Sequence, residues 1–202
     1  MSNIKRLQHQ IQEYAWGSYT AISDLLGQSS PADAPWAELW MGAHPKAPSL
    51  VHDQNHLLPL DEYIKRDPAK TLGPMVSGRF SGQLPFLFKV LAAEKPLSVQ
   101  AHPSRQQASE GFERENEAGI DLTAAHRNYK DANHKPECLC ALTPFSALCG
   151  FRKIPEILDY ASWIADNIDQ QETREYWNSL CRPLKNAPDP SGLKRFFEAL
   201  LM

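Results

Sequence analysis

Two stretches concentrate the residue types that do metal and proton chemistry. Leu97 to His102 reads Leu-Ser-Val-Gln-Ala-His, an alternation of apolar and polar residues that predicts a half-buried strand. That alternation places Ser98, Gln100 and His102 on one face and Leu97, Val99 and Ala101 on the other. The second stretch, Tyr129 to Glu137 (YKDANHKPE), leads into an apolar run from Cys138 to Leu148. If it is extended, Asn133, Lys135 and Glu137 share a face, and Pro136 restricts Lys135 to extended geometry. Two such strands meeting inside a small barrel gather Gln100, His102, Lys135 and Glu137 in one pocket. Imidazole and carboxylate suit zinc, and a carboxamide oxygen is an acceptable harder ligand. The competing reading is a solvated strand face, because a Gln-x-His pair arises readily by chance. Two features weigh against it: the apolar flank Leu84 to Leu91, and the base and carboxylate that bracket Pro136.

The elements that must position these residues can be read along the chain. Ile4 to Gln12 predicts a first strand, and Tyr14 and Trp16 precede a turn at Gly17. Ser18 is a candidate cap for a short helix over Tyr19 to Leu26, stopped by Gly27. Trp36 to Met41 reads as a strand in which Glu38 alternates with Trp36 and Trp40. An inward acid among aromatics needs a partner; a sugar hydroxyl, a cation or a salt bridge to Lys89 would each serve. Lys89, inside the apolar strand Leu84 to Leu91, either snorkels or forms an anion site. His52 and His56 fall in a polar loop and read as solvated. Leu60 to Arg66 predicts a short helix, and Gly73 to Gly82 a mobile loop without a phosphate-binding fingerprint. Ser104 and Gln107 fit a capping box opening a helix that ends at Gly119. Its Glu110, Glu113, Glu115 and Glu117 read as a solvated face. Phe145 to Phe151 closes the β region. Ile154, Leu158, Ala161, Ile164 and Ile168 then follow a helical period. Tyr176, Trp177 and Leu180 mark a second helix, and Ser191 caps a third.

Five segments carry a family resemblance: YAWG at Tyr14 to Gly17, AELWMGAHPKAPS at Ala37 to Ser49, PFLFKVL at Pro85 to Leu91, PLSVQAHP at Pro96 to Pro103 and NHKPE at Asn133 to Glu137. Together they resemble the type I phosphomannose isomerases, a zinc-dependent family of double cupins, over about the first 150 residues. The resemblance implies a mainly β fold with α: a cupin-type jelly-roll barrel over 1–151, then the start of an all-α domain over 152–202. It implies that Gln100, His102 and Glu137 match three zinc ligands, with one Zn2+ per chain. The family's fourth ligand is a histidine far downstream. All seven histidines of this sequence lie at or before His134, so a missing C-terminal half is expected to complete the site. The apolar final helix, without a stop signal, carries the same expectation.

The chemistry implied is the interconversion of mannose 6-phosphate and fructose 6-phosphate. The sugar ring opens, and a proton moves between C1 and C2 through an enediolate that zinc would stabilise. Lys135 and His134 are the candidate proton carriers; strand alternation favours Lys135 because it shares a face with Glu137. Lys89 and Ser98 are candidates for the phosphate, and Trp16 and Glu38 for the rest of the phosphohexose. The alternative is a non-catalytic cupin that binds a phosphosugar or a metal.

Composition narrows the classes further. A formal net charge of -3 offers no basic footprint for nucleic acid. No segment reaches the roughly 18 apolar residues of a membrane span. The N-terminus lacks the apolar core of a secretory signal. Cys138-x-Cys140 has neither zinc-knuckle nor thioredoxin spacing, so Cys138, Cys140, Cys149 and Cys181 are expected to be free, buried thiols in a reducing cytoplasm.

Overall fold

A computed structural model describes residues 4–54 and 56–202. These divide into two compact units, 1–136 and 137–202.

The first unit carries two three-stranded antiparallel sheets. One is ordered β1 (Leu7–Gln8), β4 (Leu50–Asp53), β5 (His56–Pro59); the other β2 (Gln10–Ser18), β3 (Trp36–Met41), β6 (Phe88–Leu91). The second sheet contains the residues of interest. β3 lies at its centre, pairing Gln12 with Glu38 on one side and Glu38 with Leu91 on the other. Its apolar face rests on α1 (Ala21–Leu26) through Ile22, Leu39 and Ala92, with Ile11, Trp36, Met41 and Val90 around them. Ser18 accepts hydrogen bonds from the amides of Thr20 and Ala21 at the helix entry, and Gly27 ends the helix in the left-handed conformation at φ 62°. Only glycine takes that conformation without cost.

Gly17 is buried where β2 crosses β3. A Cβ there would lie 2.6 Å from the Ala37 amide nitrogen and 2.7 Å from its Cα. Backbone cannot yield as a side-chain tip does. Gly17→Ala is therefore expected to cost about 3 kcal/mol, the upper range for overpacking. Gly78→Ala, with nothing within 4 Å of the added carbon, is the control and is expected to be neutral or better. Urea denaturation of the two variants checks both values.

His52 and His56 lie on the β4–β5 hairpin rather than in a loop, and both are exposed. α2 (Leu60–Arg66) forms as predicted and is followed by a short helix, α3 (Pro68–Leu72), whereas the mobile loop expected from Gly73 to Gly82 holds a second short helix, α4 (Pro74–Arg79). Both short helices open on proline, whose fixed φ suits a first helical position. α5 (Arg105–Glu117) carries the Ser104/Gln107 capping box in both directions, and Gly119 follows it at φ 70°.

The strand expectations fail in part. Only Phe88–Leu91 of Leu84 to Leu91 is a strand, and Leu97 to His102 has no regular structure. Val99, expected on a buried face, is 87% exposed. A strand persists only when a neighbour's backbone answers its N–H and C=O groups, and no ladder partner meets this segment among the described residues. The chain thus combines sheets and helices, but among the described residues the strands do not close a barrel.

In the second unit, 138–148 is likewise irregular and exposed. Cys138, Cys140 and Cys149 are exposed free thiols there, so burial holds only for Cys181. Three helices follow: α6 (Ile154–Asp166), α7 (Gln171–Asn186) and α8 (Pro190–Leu201). They pack through Ala161, Cys181, Leu184 and Phe196. Asp189, not Ser191, caps α8, its carboxylate accepting from the amides of Ser191 and Gly192. No helix among the described residues is long and apolar enough to cross a membrane.

Candidate functional site

Two groups of polar residues in the first unit are built by its sheet and by α5. On the sheet, Glu38 is buried at 6% exposure. Its Oε1 accepts from Lys89 Nζ at 2.9 Å and its Oε2 from Trp40 Nε1 at 2.7 Å. The register explains the pair. Trp40 stands opposite Lys89 and Glu38 opposite Leu91, so Glu38 and Lys89 are diagonal neighbours on one face. The salt-bridge partner considered for Glu38 is thus the one present, and Lys89 is half-buried against it rather than snorkelling.

The turn after β3 extends this face. Lys46 Nζ donates to the Tyr14 hydroxyl at 2.9 Å and lies 5.2 Å from the Tyr14 ring centroid and 5.5 Å from that of Trp40. Tyr14 stacks on Trp16, and His44 meets Trp40 edge-on at 4.9 Å. Burial first, then the Lys46 charge, holds the His44 imidazole below its usual pKa; Lys135 acts in the same direction and Asp131 opposes them. His44 is accordingly neutral at pH 7. The segment bearing Lys135 is thus within electrostatic range of this turn. Sequence reading passed over Lys46 and His44, though both lie inside the AELWMGAHPKAPS segment. What it lacked was the fold that brings Tyr14 to Lys46.

The second group anchors the stretch before Lys135. Glu115 and Arg127 are both buried. Glu115 Oε1 accepts from the Asn128 amide at 3.1 Å and Oε2 from the Tyr129 amide at 2.8 Å. Arg127 donates to the Tyr129 carbonyl at 2.7 Å, to the Asn116 side chain at 2.6 Å and to the Ile120 carbonyl. The Tyr129 amide, with the other donors and the Arg127 charge, holds the Glu115 carboxyl below the usual carboxylate range. Reading Glu115 as part of a solvated face was therefore wrong. Ala108, Gly111 and Glu115 form one buried stripe of α5, a helical spacing visible in the sequence, but the partner Arg127 comes from a loop.

The metal candidates lie in irregular, exposed segments. Gln100 and His102 occupy the stretch entering α5; His134 and Lys135 follow Asp131, and Glu137 opens the second unit. Trp16 is half-buried on β2, and Ser98 is exposed. Among the described residues no three His, Cys, Asp or Glu side chains gather as a metal group. The candidate set contains only two of those types, its third donor being the Gln100 carboxamide. One imidazole nitrogen, one carboxylate and one carboxamide oxygen are a donor set that fits zinc.

The profile of the phosphomannose isomerase type I catalytic domain matches residues 4–154. The chain belongs to this family. Mannose-6-phosphate isomerase of Escherichia coli is 48% identical over 163 residues, covering 80% of this chain and 41% of that protein. The human mannose-6-phosphate isomerase is 42% identical over 159 residues, covering 74% and 35%. A lysine-to-alanine variant of phosphomannose isomerase from Salmonella typhimurium superposes with a TM-score of 0.86 at 40% identity, covering 99% of this chain and 48% of that one. Mannose 6-phosphate isomerase from the same organism, bound to its substrate and a zinc atom, gives 0.73 at 36% identity, with 98% and 60% covered. This phosphomannose isomerase family chain therefore spans about two-fifths of the length of the E. coli relative.

Proposed function

We propose that this chain supplies part of the catalytic site of a mannose-6-phosphate isomerase, interconverting mannose 6-phosphate and fructose 6-phosphate. The observation that carries the reading is the family match over residues 4–154, an interval containing every candidate site residue. Gln100, His102 and Glu137 hold one zinc ion, which when bound supplies a Lewis acid beside the sugar carbonyl. Lys135 moves the proton between C1 and C2, with His134 as the second candidate. Lys89 and Ser98 take the phosphate, while Trp16 and Glu38 line the sugar. Residues 1–151 belong to a cupin-type jelly-roll catalytic domain and 152–202 to the start of a helical domain. A C-terminal portion, as in the longer relatives, completes the barrel and the ligand set. Cytoplasmic placement belongs to the same proposal.

The test uses the 202-residue chain alone and the same chain joined to the downstream portion of the E. coli relative. Each is assayed with zinc and mannose 6-phosphate, with fructose 6-phosphate detected by a coupled enzyme. Turnover in the joined protein is the expected result. Zinc and phosphosugar binding without turnover in either form favours the non-catalytic cupin.

A further inference from the structure

α5 joins two parts of the first unit that sequence alone leaves separate. Its N-terminal cap, Ser104, lies two residues after His102. There the Ser104 amide donates to Gln107 Oε1 at 2.9 Å, and the Gln107 amide donates to Ser104 Oγ at 3.3 Å. This fixes the exit direction of the Gln100–His102 segment. The other half of the helix holds the loop ahead of Lys135. Arg127 reaches Asn116 and Ile120, at and beyond the helix end. Asn128 and Tyr129 meet Glu115, and the Tyr129 ring lies on Gly111, where an added Cβ would meet ring atoms at 2.6 Å. Arg114 lies over the same ring.

The contacts therefore move back along α5 as the chain advances from Arg127 to Tyr129, so this segment runs antiparallel to the helix, toward the Ser104 end. From Gly111 to Ser104 is about 10 Å of helix. Tyr129 to Lys135 spans up to about 20 Å when extended, enough to reach the end where His102 lies.

A carboxylate as buried as Glu115 is costly unless fully partnered. Its partners here are the backbone amides of the Lys135 loop itself. We propose that α5, through the buried Glu115–Arg127 pair and the Gly111–Tyr129 contact, positions the Lys135 segment relative to the Gln100–His102 segment. Glu115 and Arg127 are positioning residues that act through the backbone and touch neither metal nor sugar. The inference rests on the metal reading above.

The test is titration of the 202-residue chain with Co2+, a spectroscopic substitute for zinc, following its visible absorption, with far-UV circular dichroism as the check of folding. Glu115→Gln preserves shape but removes the charge that Arg127 faces and turns an amide donor toward a backbone N–H. Gly111→Ala displaces the Tyr129 ring and leaves the ion pair intact, so it decides the matter if Glu115→Gln does not fold. Both are expected to raise the Co2+ dissociation constant about tenfold or more, as loss of support behind a ligand does. Glu113→Gln, on the exposed side of the same helix, is expected to bind as the unaltered chain does. Folded Glu115→Gln and Gly111→Ala chains with unchanged affinity and spectrum, in a protein whose binding still depends on His102, overturn the positioning role alone. A His102→Ala chain that binds Co2+ as well as the unaltered one sinks the metal reading, and this inference with it.

Discussion

His102→Ala is expected to strip the zinc and to lower turnover of the joined protein by about a thousandfold or more. The imidazole is the one nitrogen donor that these 202 residues give to the proposed set, and it is the donor among Gln100, His102 and Glu137 whose affinity for zinc is least replaceable by water. A Lewis acid beside the reacting carbonyl is worth several kcal/mol of barrier, and each 1.36 kcal/mol is a factor of about ten in rate. The loss should fall on kcat as well as on metal content. Zinc analysis after dialysis, run beside the coupled assay, separates the two. Glu137→Ala should behave alike, while Gln100→Ala, which removes a neutral donor, should weaken zinc retention less. A His102→Ala protein that retains both zinc and turnover would refute the ligand assignment.

Lys89→Met should destabilise the chain by about 2–3 kcal/mol. Glu38 is 8% exposed at its side chain, and the ammonium is its only ion-pair partner among the described residues. Removing one member of a buried pair typically costs about 3–5 kcal/mol, because the other charge is left unpaired. The lower value applies because the Lys89 side chain is 29% exposed, so water offsets part of the loss. The Trp40 indole continues to donate to Glu38, which limits the damage further. Glu38→Gln in the Lys89→Met background removes the stranded charge and should recover most of the stability. A coupling energy above about 1 kcal/mol in the four-member denaturation cycle is the expected signature. The same cycle separates structure from function. If Lys89 also holds phosphate, the stable double variant should show a KM for mannose 6-phosphate raised above that of Glu38→Gln alone. Stability of Lys89→Met equal to that of the unaltered chain would show that the ion pair contributes nothing.

The residues of the sequence disclosed the family and most of the helices. Long segments with uncommon residues, such as AELWMGAHPKAPS and NHKPE, identified the phosphomannose isomerases because their information is local and survives without a fold. The α5 capping box and the apolar periods of α6 to α8 were readable for a related reason: helical hydrogen bonds close within four residues, so the signal lies within the segment it shapes. β3 was readable too, from its length and alternation.

What the tertiary structure decided was pairing. Strands are completed by residues far away in sequence, and alternation in Leu97 to His102 does not supply a neighbour. That segment is therefore irregular despite its pattern. Glu38 had three candidate partners, and only the register of β3 against β6 selected Lys89. Glu115 looked like one of four solvated acids, and its burial depended on a loop bringing the Arg127 guanidinium and two backbone amides to it. A carboxylate's environment is set by what folds onto it, which no periodicity in its own helix records.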